Sequence, residues 1–305
     1  MEFSQSMAPI ALFGYNRPIH FEETLEALSK NVGASESDLH IFCDGSKGEG
    51  DREAVRQVRE IAQAARGFNC VNVMLCEKNY GLRDNIVKGV TELVNDYGKI
   101  IVVEDDIVTS PEFLVYHNRA LAHYSECESV MHVSAYMPSL MHKDKLPDTA
   151  LLRFMSCWGW STWQRAWSKF RLDSDYFIDR FNDDDIRYLN LDGAFPFWNQ
   201  LVNNHRNLSR TWAIFWYASI VENNGLSLHV RDSLCKNIGV DGSGTNSHCS
   251  SQFEVNYAMK APVTFPTSIV EDVVMLDALK EAYRTLKPSL FKRLANRFIK
   301  YITSS

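Results

Sequence analysis

An open α/β sheet, mainly parallel and covered by helices on both faces, is the fold class this sequence predicts. Strand-like and helix-like segments alternate up to residue 110 with short links between them. The residues where those strands end are polar, while the strands themselves are apolar. One unbroken apolar run, Ile100 to Val103, is followed at once by Glu104, Asp105 and Asp106. Alternation of this kind builds strand–helix–strand units and hence a parallel sheet.

The elements follow in order. PIALFGY reads as a strand, PIHFEETLEALSKN as a helix, DLHIFCDGS as a strand and turn, and DREAVRQVREIAQAARG as a second helix. VNVMLCEKN is a third strand, GLRDNIVKGVTELVNDYG a third helix, and KIIVVEDD a fourth strand whose apolar run suits burial on both faces. In Rossmann-like sheets of this kind a ligand sits beyond the carboxyl ends of the strands, beside the point where strand order reverses. Asn16-Arg17, Asp44-Gly45, Asn79 to Gly81 and Glu104 to Asp106 occupy those ends.

Beyond residue 130 the alternation stops and aromatic residues crowd into FMSCWGWSTWQRAW, FPFWNQ and TWAIFWYASI. Such clusters fill cores, and the same flat rings suit the apolar C–H face of a sugar. A polar loop, NIGVDGSGTNSHCSSQ, follows at 237–252. The final stretch, LKPSLFKRLANRFIKYITSS, places Leu290, Phe291, Leu294, Phe298 and Ile302 on one helical face, ringed by basic residues and free of acids. A basic amphipathic helix of this type suits a membrane surface; a solvated terminal helix docked on the core fits the same pattern.

Three adjacent carboxylates at the end of a buried strand repel one another and resist burial unless something positive sits between them. A divalent metal is the first candidate, since hard oxygen ligands suit Mg2+ or Mn2+ together with phosphate oxygens. The acids also suit the start of the helix that Ser110-Pro111-Glu112 announces, or a general acid/base pair.

Composition narrows the class. The 305 residues, 45% of them hydrophobic, suffice for one large domain or two closely joined lobes. A net charge of −6 gives no general attraction to nucleic acid. Seven scattered cysteines without a C-x-x-C pair argue against a disulfide framework or zinc knuckle and fit a reducing, cytoplasmic setting. The first residues lack the pattern of a signal peptide, and no apolar stretch reaches membrane-spanning length. The expectation is a soluble protein, or one peripheral to the inner face of a membrane through 286–305.

The motifs also carry a resemblance. VVEDDI followed by SPEFL, with ALFGYNRP, IFCDG, CWGWSTW and NIGVDGSGTNSH in this order, resembles the GT-A glycosyltransferases related to N-acetylglucosaminyltransferase I. The same segments are similar to bacterial surface-polysaccharide glycosyltransferases of the family 2-like kind, and together they span residues 8–250. The resemblance implies a GT-A fold with a nucleotide-sugar-binding half over 1–130, an acceptor-binding half over 131–260 and a C-terminal helical tail over 261–305. It implies a metal-dependent transferase that moves a hexosyl or N-acetylhexosaminyl group from a nucleotide-sugar, with UDP expected. The acceptor would be a hydroxyl of a glycan or polyprenyl-linked glycan in surface-polysaccharide (O-antigen, capsule or lipopolysaccharide) synthesis.

Site residues follow from the resemblance position by position. Asp106 would be the metal ligand, Asp105 would hold the ribose and sugar side, and Glu104 would lie against the nucleoside, with Arg17 and Asp44 at the nucleobase, where a carboxylate can accept the uracil imide N–H. The family's general base has no counterpart here: SRTWAIFWYASIVENNG has no acid before Glu222. Asp192, Glu222, Asp241 and His248 are the remaining candidates, each also readable as a turn, helix-end or loop residue, so inverting and retaining chemistry both stay open. Arg83 and Lys88, at a helix start, suit phosphate or simply a solvated surface; His248 suits the diphosphate or an exposed loop. Trp158, Trp160 and Trp163 suit an acceptor groove, with at least one expected in the core. Two rivals remain. A nucleotidyltransferase would share the sheet and carboxylates, but GYNRPIHF is no Gly-rich phosphate loop. A non-catalytic glycan-binding protein on the same scaffold would need no base.

Overall fold

The structure, a computed structural model, describes residues 6–239 and 255–286. In chain order the elements are β1 (Ile10–Gly14), α1 (Pro18–Ser29), β2 (Asp38–Cys43), α2 (Arg52–Ala64), β3 (Cys70–Leu75), α3 (Leu82–Tyr97), β4 (Lys99–Glu104), β5 (Ile107–Thr109), α4 (Phe113–His123) and β6 (Val130–Ser134). They continue with β7 (Thr149–Leu152), β8 (Trp160–Trp163), α5 (Gln164–Trp167), α6 (Ser174–Arg180), α7 (Asp183–Leu189), α8 (Trp198–His205), α9 (Ala213–Glu222), β9 (Leu226–Val230), β10 (Cys235–Asn237) and α10 (Val273–Leu286). His248, Asp241 and the basic amphipathic segment from 287 onward lie outside the described residues. No described helix is long and apolar enough to cross a membrane.

Eight strands form one mixed, mainly parallel sheet in the order β3-β2-β1-β4-β8-β6-β9-β7. β1 pairs parallel with both β2 and β4, and β2 with β3. β8 runs against both its neighbours, and β7 against β9. The chain moves outward from β1 to β3 and then returns to the other side of β1, so the order reverses between β1 and β4. That reversal leaves a crevice at the carboxyl ends of these two strands. β10 and β5 form a separate antiparallel ribbon beside it.

Local chemistry explains the boundaries. Pro18 opens α1, where its missing N–H costs nothing. α3 runs between Gly81 and Gly98, both at positive φ, and Gly98 closes it through its N–H to the Val94 carbonyl. Phe21, Leu25 and Leu28 of α1, Val58 and Ala62 of α2 and Phe113 and Leu114 of α4 cover one face of the sheet. Ile86 and Val90 of α3, the apolar side of α9, and Met275 and Leu279 of α10 cover the other.

Within these layers lie buried histidines. His117 Nδ1 lies 2.8 Å from Ser161 Oγ, and burial lowers its pKa to about 3. The folded protein therefore keeps His117 neutral while the unfolded chain takes a proton below its ordinary value near 6.5. Stability attached to this group is complete above pH 6.5 and is lost as pH falls toward 3. We expect the stability difference between wild type and His117→Asn, from urea unfolding, to shrink by about 2 kcal/mol between pH 8 and pH 5. A difference that does not change with pH would mean that the folded imidazole takes its proton over the same pH range as the unfolded chain.

Candidate functional site

The ends of β1 and β4 and one ribbon build the site. Arg17 follows β1 at the N-cap position of α1. Glu104 is the last residue of β4, paired in register with Phe13 of β1, and Asp105 and Asp106 form the turn into β5. Asp105 and Asp106 are 5% and 9% exposed, so the cluster is sunk in the crevice rather than displayed. The Arg17 guanidinium answers this burial: one nitrogen, Nη2, donates to Asp105 Oδ1 and lies 2.9 Å from Asp106 Oδ2. The positive group between the carboxylates is thus supplied by the chain itself, where the sequence suggested a metal first.

The electrostatics follow from this packing. Burial opposes the charge on Arg17, but Asp105 and Asp106 outweigh it and hold the guanidinium more firmly protonated than usual. Burial pushes the Asp105 carboxyl above its ordinary range despite Arg17. It pushes Glu104 higher still, with Asp106 and Asp105 adding to the effect.

Backbone contacts fix the turn. The Thr24 hydroxyl of α1 donates to the Asp105 carbonyl at 2.9 Å, and the Ile238 N–H donates to the Asp106 carbonyl at 2.8 Å. The Asn237 side chain accepts from Gly239 N at 2.7 Å, which brings Gly239 over the carboxylates. A Cβ at 239 would collide with Asp106 Oδ2 and stand 2.6 Å from Arg17 Nη1 and 2.9 Å from Asp106 Cβ, so a larger residue there must push both side chains aside. Next to this wall, Trp158 is half-buried with its ring edge-on to Tyr136 at 4.5 Å, and its carbonyl accepts from Cys235 Sγ.

The remaining expected residues have partners of their own. Asp44, 3% exposed, accepts from Gly45 N, Asn79 Nδ2, Tyr80 N and Gly81 N at 2.8–3.0 Å. Four donors fill a carboxylate's acceptor capacity, so Asp44 organises the 79–81 link rather than reading an imide N–H. Arg83 pairs with Asp84 at 3.0 Å, and Arg210 shares that acid. Trp160 is fully buried and stacked between His132 and Trp212, which makes it core and not an acceptor platform. Trp163 is buried too, its ring N–H on the Leu121 carbonyl.

The two described base candidates are also misplaced. Glu222 ends α9 just before β9 starts, and it binds the Tyr176 hydroxyl at 2.5 Å and Arg180 at 3.2 Å. Asp192 is tied to Lys280 at 2.7 Å and to Arg153, which follows the Leu152 that pairs with Ser227 near the start of β9. Both therefore lie toward the amino end of β9, away from the crevice.

The donor set has the chemistry of a hard-metal site: Glu104, Asp105 and Asp106 offer oxygen only. No group of three His, Cys, Asp or Glu side chains among the described residues forms a cage by itself. The set fits an Mg2+ or Mn2+ ion held by one or two carboxylates with its sphere completed by a substrate's phosphates.

No protein-family model and no curated protein matches the chain. Among solved structures it is similar in part to one named as a nucleotide-diphospho-sugar transferase from Desulfovibrio desulfuricans G20 (14% identity, 43% of this chain and 58% of that one, TM-score 0.30). It is similar to glucosyl-3-phosphoglycerate synthase from Mycobacterium tuberculosis in complex with Mn2+, UDP and glucosyl-3-phosphoglycerate (11%, 55% and 59%, 0.35). An active-site mutant of LgtC is a third (11%, 70% and 70%, 0.35). The aligned part spans less than two thirds of the first two, and at these scores the overlap assigns neither family nor activity.

Proposed function

We propose that this protein is a metal-dependent glycosyltransferase that takes a sugar from a nucleotide-sugar, with UDP as the nucleotide, and passes it to a hydroxyl of a glycan or polyprenyl-linked glycan. Synthesis of a bacterial surface polysaccharide is the setting that the ordered motifs suggest. The observation that carries the reading is the Arg17–Asp105–Asp106 cluster, sunk at the reversal point between β1 and β4 and faced by Gly239.

Asp106, with Asp105 beside it, would hold Mg2+ or Mn2+, which when bound offsets the charge of a departing diphosphate. The chain's own residues do the positioning. Arg17 orients both carboxylates, the Thr24 hydroxyl and Ile238 N–H fix the turn that presents them, and Gly239 closes over them on one side. Trp158, beside Cys235, is the aromatic surface left for an acceptor sugar. Transfer to the acceptor needs a proton taken from its hydroxyl, and neither Asp192 nor Glu222 stands where it could take it.

Calorimetric titration of UDP, GDP and CMP with and without Mn2+ tests the reading. We expect UDP to bind only with Mn2+, and Asp106→Ala to weaken that binding at least 100-fold. UDP binding that ignores the metal, or no nucleotide binding at all, overturns it. The placement of Glu222 and Asp192 favours a second reading, a glycan-binding protein without transfer; it requires sugar binding to Trp158 and no nucleotide binding.

A further inference from the structure

Arg17 is seated in the carboxylate turn against Asp106 Oδ2, one of the two oxygens by which that carboxylate could hold a divalent cation. Its Nη2 serves both Asp105 and Asp106, and Gly239 packs against the outer side. Its other terminal nitrogen, Nη1, is buried and makes no hydrogen bond to a described residue. A guanidinium has five donors in a planar fork suited to phosphate as well as to carboxylate. One branch here is spent on the acids, and the other, buried beside Gly239, has no acceptor among the described residues.

We infer that Arg17 is a displaceable counter-ion, which holds Asp106 until a diphosphate arrives with its metal and then, still protonated, pairs with the phosphate instead. This rests on the function proposed above. The reasoning is one of paired charges. A bare cation that took Asp106 would have to evict Arg17 and leave a buried guanidinium with one acid fewer, a costly arrangement. A cation that comes with a diphosphate removes that cost, because the anion gives Arg17 a new partner. Metal and nucleotide must then help each other bind, and the help is reciprocal.

The test separates the metal from the nucleotide. MnCl2 alone is titrated into wild type, Arg17→Gln and Arg17→Lys by calorimetry, with the free ion followed by its paramagnetic resonance signal and folding checked by circular dichroism. The expected result is at least tenfold tighter binding of Mn2+ alone to Arg17→Gln than to wild type, with Arg17→Lys staying close to wild type because it keeps a cation. In a second titration, the gain in UDP affinity on adding Mn2+ should be smaller in Arg17→Gln. Binding of Mn2+ to a folded Arg17→Gln no tighter than to wild type overturns the inference. Should wild type show no metal-dependent UDP binding, the functional reading falls, and the titration with MnCl2 alone still decides whether Arg17 guards the carboxylates.

Discussion

Trp160→Ala is expected to cost 3–5 kcal/mol of folding stability, on the order found for removing a buried aromatic side chain from a core. The ring is fully buried, packs on His132, Trp212 and Trp167, and lies opposite Val102 in the sheet register. Removing it would leave a void between β8 and the rings of His132, Trp167 and Trp212. The measurement is urea unfolding followed by circular dichroism, paired with UDP titration in Mn2+ on the folded variant. Affinity for nucleotide should hold within about threefold, roughly 0.65 kcal/mol, because the ring does not reach the crevice. A variant of wild-type stability would show that the indole is not core, and the acceptor role expected for it would return.

The second large effect concerns Asp44. Replacing it with alanine strands Asn79 Nδ2 and the backbone N–H groups of Gly45, Tyr80 and Gly81, which now end on its two oxygens. Each stranded donor costs about 1–3 kcal/mol when water cannot reach it, and this link is only partly buried, so a total of about 3 kcal/mol is expected. Asp44→Asn keeps one carbonyl oxygen and should lose about half as much. A residue that read the base of a nucleotide would behave in the opposite way: UDP affinity would fall while thermal and urea stability stayed put. Measuring both quantities in the same two variants separates the roles.

The sequence spoke clearly wherever one physical rule dominated. Alternation of strand and helix up to residue 110 predicted β1 to β4 and α1 to α3, and the run Ile100 to Val103 marked a strand buried on both faces. Arg17, Glu104, Asp105 and Asp106 were found as strand-end polar residues, and they do meet at one point. What could not be read was who partners whom. That Arg17 would fill the gap between the acids depends on the parallel pairing of β1 with β4, a contact that no local pattern encodes. Trp158 and Trp160 differ by two residues and share a motif, yet one is half-buried and the other sealed. The positive φ of Gly159 between them breaks the simple two-residue alternation of a strand. Asp192 and Glu222 were attractive as acids alone, and only tertiary packing reveals Lys280, Arg153, Tyr176 and Arg180 beside them. Gly239 had a signal that could have been used: a glycine close after a short polar strand, in a motif shared with the resembling family.

The ribbon of β5 and β10 has a consequence for the order in which the molecule can be completed. β5 leaves the carboxylate turn immediately, but the strand it pairs with belongs to the last part of the sheet-forming chain. Closing so long a loop is entropically slow compared with local contacts. During synthesis the first four strands and Arg17 are all available long before Cys235, Lys236 and Asn237 leave the ribosome. For that interval β5 has an unpaired edge and Asp106 lacks the Ile238 N–H and the roof at Gly239. The crevice thus acquires its outer wall only when nearly all of its scaffold exists, which ties the ability to hold a ligand to completion of the fold.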